Sequence, residues 1–307
     1  MTVFVDLFFV ISGFVIAYVY AGRLNDWSAY VTFLQRRIAR LAPLHWATFL
    51  VFFLVGVMIW TGSMPSDHPE FYDPRCIVPN VVAIHAWGVC DHLSFNDVSW
   101  SISAEVGMYI ISPLLLLLGT RSPIWLALLS VVVIVLLSLA PQQPWLDWTS
   151  HFGVLRALPS FALGMAAMYW RGTITHLPLP RVVGLLAFAL LLVGIRLDWS
   201  RLALLPIAYM IVVAAIAADV GGRFRPLRIG ALGQLTYSLY MIHPLVRTFF
   251  IGFAGQRVFH VEGRWADLWV LAGFGVTFVL SYVSFLYFET PARRMLSKKR
   301  GAAAAAA

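Results

Sequence analysis

Nine apolar stretches recur along this chain of 307 residues, each close to the length that crosses a bilayer. A transmembrane helix needs about 20 mostly apolar residues. Hydrocarbon offers no partner to a free backbone N–H or C=O, and a helix satisfies both internally. The stretches fall at roughly 3–21, 41–60, 101–119, 123–141, 151–170, 182–197, 202–218, 231–251 and 267–288. Only a short turn carrying Arg196, Asp198 and Arg201 parts the sixth from the seventh. Apolar residues make up 61% of the chain and charged ones 12%, against about 45–50% and about 25% in soluble domains. A water-soluble core could not hide that much apolar side chain. The expected fold is all-α: a polytopic membrane helical bundle of about nine transmembrane helices. It forms a single domain over 1–296, with a basic, then Ala-rich tail over 297–307. No basic segment precedes the first apolar run, which therefore reads as a span rather than a cleavable signal peptide.

The formal charge of +8 could point to nucleic acid, but the basic residues carry no nucleic-acid pattern. In a membrane protein their distribution is the informative quantity. Segments 22–40, 120–122, 171–181, 219–230 and 290–307 hold 15 Lys and Arg, and the alternating set 61–100, 142–150, 196–201 and 252–266 holds 5. Arg156 and Arg247 lie inside spans. This split predicts a cytoplasmic C-terminus, with the long loop 61–100 outside. It also puts Met1 outside with almost nothing ahead of the first span, for which a missing upstream helix is the simplest explanation. Cys76 and Cys90 share the outer loop, where oxidising conditions permit a disulfide. Closing a loop of about 15 residues is worth roughly 3 kcal/mol in the chain-entropy picture. Two free thiols near the interface are the alternative.

The chemistry concentrates in Trp100–Tyr109, WSISAEVGMY, where the polar loop meets an apolar run. Trp100 suits a membrane interface. Glu105 lies one turn inside, and Ser101, four residues earlier, shares its helix face. A carboxylate at that depth is costly and marks a candidate functional site. Arg156, within HFGVLRALPSFALG, needs a buried partner, and Asp6 and Glu105 both qualify. In FLQRRIARLAP, Arg36 and Arg40 share a helix face beside Arg37. These arginines read either as an anchor in anionic headgroups or as a clamp for phosphates, which guanidinium groups bind in a bidentate way. Ser12-Gly13 reads as a close-packing point between helices. His243, in YSLYMIHPL, reads as a hydrogen-bonded core residue or, alternatively, as a base. His45 and His85 are weaker candidates. Glu289, ahead of Arg293 and Arg294, reads as a boundary ion pair. No cluster has metal-ligand spacing, so no metal site is expected.

In chain order, VDLFFVISGFVI, FLQRRIARLAP, WSISAEVGMY, LGQLTYSLYMIHPL and SYVSFLYFETPARR together resemble the acyltransferase-3 family of membrane O-acyltransferases, over Val3 to about Arg294. That family modifies surface polysaccharides, lipopolysaccharide, peptidoglycan or secondary metabolites. The resemblance implies a ten-helix fold with no permanently bound cofactor. It implies acyl-CoA, acetyl-CoA foremost, as a cytoplasmic co-substrate, and a hydroxyl-bearing glycan or small molecule as acceptor. The family's arginine motif falls on Arg36, Arg37 and Arg40, as donor-binding residues, and its Trp-Ser-x-x-x-Glu stretch on Trp100, Ser101 and Glu105. Family members begin with a further helix that carries an arginine and, about ten residues on, a catalytic histidine. This chain opens where the second family helix would, so the expectation is a true start upstream. The alternative is a degenerate member, inactive or served by another base.

Acyl transfer from a thioester to a hydroxyl needs a base, usually worth about 10²–10⁴-fold, together with donors for the oxyanion and a hold on the donor phosphates. Glu105 is expected to orient a base or the acceptor hydroxyl with Ser101 beside it, and His243 stands as the substitute base. Asp6, Trp100 and Arg156 are supporting residues. A secondary transporter or flippase would instead show broken helices and repeats about the midplane. A non-catalytic membrane partner is the third reading.

Overall fold

A computed structural model describes residues 3–140, 144–220, 233 and 235–298. Among them every regular element is helical. Five helices, Val3–Tyr20, Trp27–Trp60, Asp97–Arg121, Arg201–Asp219 and Arg264–Leu296, are long and apolar enough to cross a membrane by themselves. Pro123–Ser138 and Gly153–Tyr169 are apolar but shorter. Where their residues are described, the nine expected spans fall largely on helices, and the chain is an all-α membrane protein. The basic segment 219–230 and the Ala-rich tail lie largely outside the described residues.

The helices are α1 (Val3–Tyr20), α2 (Trp27–Trp60), α3 (Ile77–Val81), α4 (Trp100–Arg121), α5 (Pro123–Ser138), α6 (Gly153–Tyr169), α7 (Arg171–Ile174), α8 (Pro180–Arg196), α9 (Arg201–Val220), α10 (Thr236–Leu245), α11 (Arg264–Ser284) and α12 (Thr290–Lys298). α10 runs on as a π-helix over Val246–Val258, and a π-helical turn, Phe285–Glu289, joins α11 to α12. α2 starts earlier than the hydropathy suggests. Asp26 caps its first turn, with Oδ1 accepting from the Ala29 N–H at 2.8 Å, as side-chain oxygens do at helix starts. Its 34 residues give a rod of about 51 Å at 1.5 Å per residue. The arginine motif therefore sits within one continuous helix.

The chain divides into two compact units. The first comprises Met1–Phe33, Ala86–Val89 and Ser103–Pro226. Here α1 packs along α6 at backbone distance. A Cβ on Gly13 would overlap the Phe161 carbonyl oxygen, and one on Gly164 would overlap the Val10 carbonyl oxygen. Small residues permit such approach between helices in lipid. The same pair is latched by charge: Arg156 Nε and Nη2 donate to Asp6 Oδ1 and Oδ2 at 3.2 and 2.8 Å. α9 adds Leu204, Ala208, Val212 and Ile216 to apolar clusters with Val3, Val10 and Leu191. α8 and α9 form a hairpin in which Asp198 takes a left-handed conformation (φ 54°), one that Asp tolerates better than most residues. Arg201 at this turn pairs with Asp147.

The second unit comprises Leu34–His85, Cys90–Ile102 and Leu227–Ala307. Phe49 and Phe52 of α2 pack on Phe95 and on Cys76 and Cys90. The two cysteines are joined as a disulfide with Cα atoms 5.9 Å apart. A polar network pins the loop to α2. Asn80 Nδ2 donates to Cys76 O and to Ser94 Oγ, both at 2.8 Å, and the Asn80 carbonyl sits 2.7 Å from His45 Nε2. A carbonyl only accepts, so Nε2 carries the His45 proton.

Candidate active site

Glu105 is 2% exposed. Its Oε1 accepts from Ser12 Oγ of α1 at 2.6 Å and from Tyr109 Oη, one turn further along α4, at 2.5 Å. Oε2 is buried and has no hydrogen-bond partner among the described residues. One oxygen is thus saturated by hydroxyls while the other is left bare. A buried acceptor without a partner costs about 1–3 kcal/mol, and such exceptions call for an explanation. A group to be oriented at that oxygen is one. α4 enters this region on Ser103, whose Oγ accepts from the Ala86 N–H and whose carbonyl accepts from Trp87 Nε1.

The hydroxyl expected beside Glu105 is engaged elsewhere. Ser101 Oγ lies 2.9 Å from Tyr240 Oη and 3.2 Å from Val98 O. Its place next to the carboxylate is taken by Ser12, which the sequence reading treated only as a packing point. Gly13 does pack closely; Ser12 additionally touches the carboxylate. Trp100, at the start of α4, is buried within the protein. Of the two acids considered for Arg156, Asp6 is the partner, and both side chains are fully buried, at 0% and 1% exposure.

In the second unit, Tyr240 donates to Val98 O, and Asn96 Nδ2 donates to Met241 O. His243 Nδ1 lies 2.8 Å from the carbonyl of Tyr240, one turn earlier. That carbonyl can only accept, so in the neutral ring Nδ1 carries the proton and Nε2 presents the lone pair. Arg247 donates to Asp97 at 2.7 Å. His45 and His85 stack in parallel, with ring centroids 5.9 Å apart. Ser99 Oγ donates to Asn96 O at 2.7 Å, so it receives its 3.0 Å contact from His85 Nε2–H. Burial pushes the His85 imidazole down to about 3, with the neighbouring His45 adding to the effect.

The arginine motif is spread over the surface of α2. Arg36 is exposed and Arg37 half-buried. Arg40 lines a polar pocket of about 270 Å³ together with Tyr237, Glu289, Thr290 and Arg293. Tyr237 Oη donates to Leu41 O. Glu289 departs from the boundary ion pair expected of it. It is buried, its Oε1 accepts from Ser238 at 2.6 Å and Ser284 at 3.1 Å, and no cation lies within ion-pair distance among the described residues. Among the described residues no group of three His, Cys, Asp or Glu could hold a metal ion.

A family model described as an acyltransferase domain matches residues 1–286. The chain belongs to the acyltransferase-3 family. Among curated proteins, "Acyltransferase MdmB" from Streptomyces mycarofaciens is 26% identical over 342 aligned positions, which cover 98% of this chain and 83% of that protein. No solved structure matches. With its membrane helices, the protein is an integral-membrane acyltransferase, a transferase enzyme.

Proposed function

We propose that this acyltransferase moves an acyl group, acetyl foremost, from acyl-CoA to a hydroxyl of a cell-envelope glycan or small-molecule acceptor. The donor is taken from the cytoplasm of a bacterial cell, at the side that also carries the C-terminus. The observation that carries the reading is Glu105: a buried carboxylate held through one oxygen by Ser12 and Tyr109, with the other oxygen bare.

In the reaction the acceptor oxygen attacks the thioester carbonyl carbon. A C–O bond forms, the C–S bond breaks, and the hydroxyl proton passes to a base while CoA leaves as the thiol. Glu105 Oε2 suits the orienting part of this chemistry, accepting from the group that is to be positioned. Ser12 and Tyr109 fix the carboxylate so that orientation costs no reorganisation during the reaction. His243 offers the open basic atom, Nε2, with its tautomer set by the Tyr240 carbonyl. Arg40 supports the donor side, where a guanidinium matches phosphate geometry. Arg36 and Arg37 accompany it on α2 and extend the same positive field.

The test is CoA-thiol release in membranes carrying the protein, with envelope glycans or small hydroxyl compounds offered as acceptors. Glu105→Gln keeps the size and is expected to slow acyl transfer by about 100-fold or more. His243→Gln is expected to slow it as well, by about 100-fold. Full acylation by Glu105→Gln would refute the central assignment.

A further inference from the structure

A cavity of about 430 Å³ lies wholly within the second unit, at the end of α2 away from the arginine motif. Val55, the first α2 residue to line it, is about 22 Å beyond Arg40 at 1.5 Å per residue. The floor is apolar: Val55, Met58 and Ile59 from α2, Phe71 from the loop, and Phe249 and Phe253 from the π-helix. Asp67, His68, Gln256 and Arg257 are exposed and form the rim. Asp67 is 91% exposed, and a carboxylate that open has no place in hydrocarbon, so the mouth lies at an aqueous surface. Arg257 faces Asp67 at 3.9 Å, so the rim carries no surplus guanidinium for a phosphate. The π-helix shapes this wall. Thr248 and Arg257 both line the cavity although they are nine positions apart. In an α-helix nine residues span about two and a half turns, which points two such side chains in opposite directions. The wider π turn brings both to one face, and π-helical segments are rare and frequent at functional sites. The opposite wall is tied down as well. Trp60 Nε1 donates to Tyr72 O at 2.9 Å, the Phe95 N–H donates to Phe71 O at 2.8 Å, and Tyr72 packs on the cluster of Phe95 with Cys76 and Cys90.

We propose that this cavity seats the apolar body of an uncharged, hydroxyl-bearing small molecule, the acyl acceptor. Its role rests on the acyl-transfer reading above, and it selects the small molecule over the glycan among the acceptors named there. The volume falls within the roughly 300–1,000 Å³ of small-molecule sites, which pair apolar walls with a few polar groups. A glycan needs hydrogen-bond partners along its whole length, whereas the floor here offers only apolar side chains. A lipid tail would fill the floor but leave Thr248 and Gln256 unmatched. The fixed walls mean that little ordering is required when the ligand arrives. The π-helix also continues directly from α10, which carries His243. Thr248 lies about 7–8 Å further along the axis, so an acceptor longer than the cavity by that distance spans from the floor to the open Nε2.

Gly252 gives the experiment its handle. It lines the cavity, and a Cβ there meets only Arg247 O, at an ordinary contact distance of 3.4 Å. With Cys76 and Cys90 joined, Gly252→Cys supplies the one free thiol of the chain. Its rate of labelling by a maleimide is measured on the full chain in phosphatidylcholine nanodiscs, with glucose and the methyl to octyl β-glucosides as probes. Val279→Cys, exposed on α11, reports partition into the lipid alone. The glucosides are expected to protect Gly252→Cys but not Val279→Cys, with the half-protecting concentration falling about 3- to 4-fold for each added methylene until the cavity is filled. Glucose is expected to give no protection. Labelling that no glucoside slows, or equal protection by glucose and octyl glucoside, overturns the proposal. A thiol blocked in the discs and freed in short-chain detergent shows a lipid tail in the cavity and overturns it too. Gly252→Phe fills the cavity and is expected to raise the KM of the longer glucosides in acyl transfer about 10-fold or more, at unchanged KM for acyl-CoA and unchanged melting temperature. Transfer to another acceptor at a rate that Gly252→Phe leaves unaltered overturns the acceptor role. Protection without CoA-thiol release to any acceptor overturns the acyl-transfer reading and leaves the cavity standing as a site for uncharged amphiphiles.

Discussion

Breaking the buried pair between Asp6 and Arg156 has a calculable outcome. Both side chains are sealed from solvent, at 1% and 0% exposure. Two charge-assisted hydrogen bonds join them, and at about 1.5–3 kcal/mol each these sum to about 3–6 kcal/mol. Removal of one partner leaves an uncompensated buried charge, which costs about 3–5 kcal/mol, so the two routes agree. Replacing both partners by apolar residues removes the desolvation penalty together with the attraction, and is often neutral or stabilising. Asp6→Val and Arg156→Met should therefore each destabilise by about 3–5 kcal/mol, a factor of about 10²–10⁴ in the unfolding constant. Asp6→Val/Arg156→Met should cost less than either alone. Equilibrium unfolding in mixed micelles, followed by far-ultraviolet circular dichroism, measures all three variants. A cost below about 1 kcal/mol for Asp6→Val, or a double variant that equals the sum of the singles, would show that the latch between α1 and α6 does not work through charge.

Two further outcomes are expected. Ser12→Ala removes one of the two donors to Glu105 Oε1 and should slow acyl transfer by about 10-fold at unchanged thermal stability, read from CoA-thiol release and a melting curve. His85 is held neutral by burial, at about 3 against 6.5 in the open chain. Its folded value lies below its unfolded value, so the opened loop binds a proton that the folded loop refuses. Stability should be flat above about pH 6.5 and should fall below it by about 1.4 kcal/mol per pH unit for this one group. His85→Gln should remove that slope, which melting curves between pH 8 and pH 4.5 would reveal.

Apolar run length made the helices readable, because span length follows from bilayer thickness whatever the tertiary packing. The start of α2 was less visible, since residues 27–40 are too polar for a hydropathy window, and its signal is the Asp26 cap. Glu105 was legible as a costly carboxylate at a helix mouth. Its partner was not: Ser12 and Glu105 are 93 residues apart, and i,i+4 spacing favoured Ser101, whose hydroxyl is drawn instead to Tyr240. Helical periodicity ranks neighbours on one helix and says nothing of what a second helix brings. Glu289 misled for a related reason. Three charged residues close together in sequence suggested a pair, whereas Ser238 and Ser284 satisfy the carboxylate and leave Arg293 facing a pocket with Arg40.

The contact between α1 and α6 has a genetic consequence. Every missense change of a glycine codon introduces a residue that possesses a Cβ. At Gly13 and Gly164 that first added atom falls on a neighbouring carbonyl oxygen, Phe161 O or Val10 O, and backbone cannot swing aside as a side chain could. A saturation map of this protein should therefore show these two codons tolerating synonymous change alone, with alanine as damaging as larger residues, in contrast to Gly172 and Gly275, where the surrounding space is open.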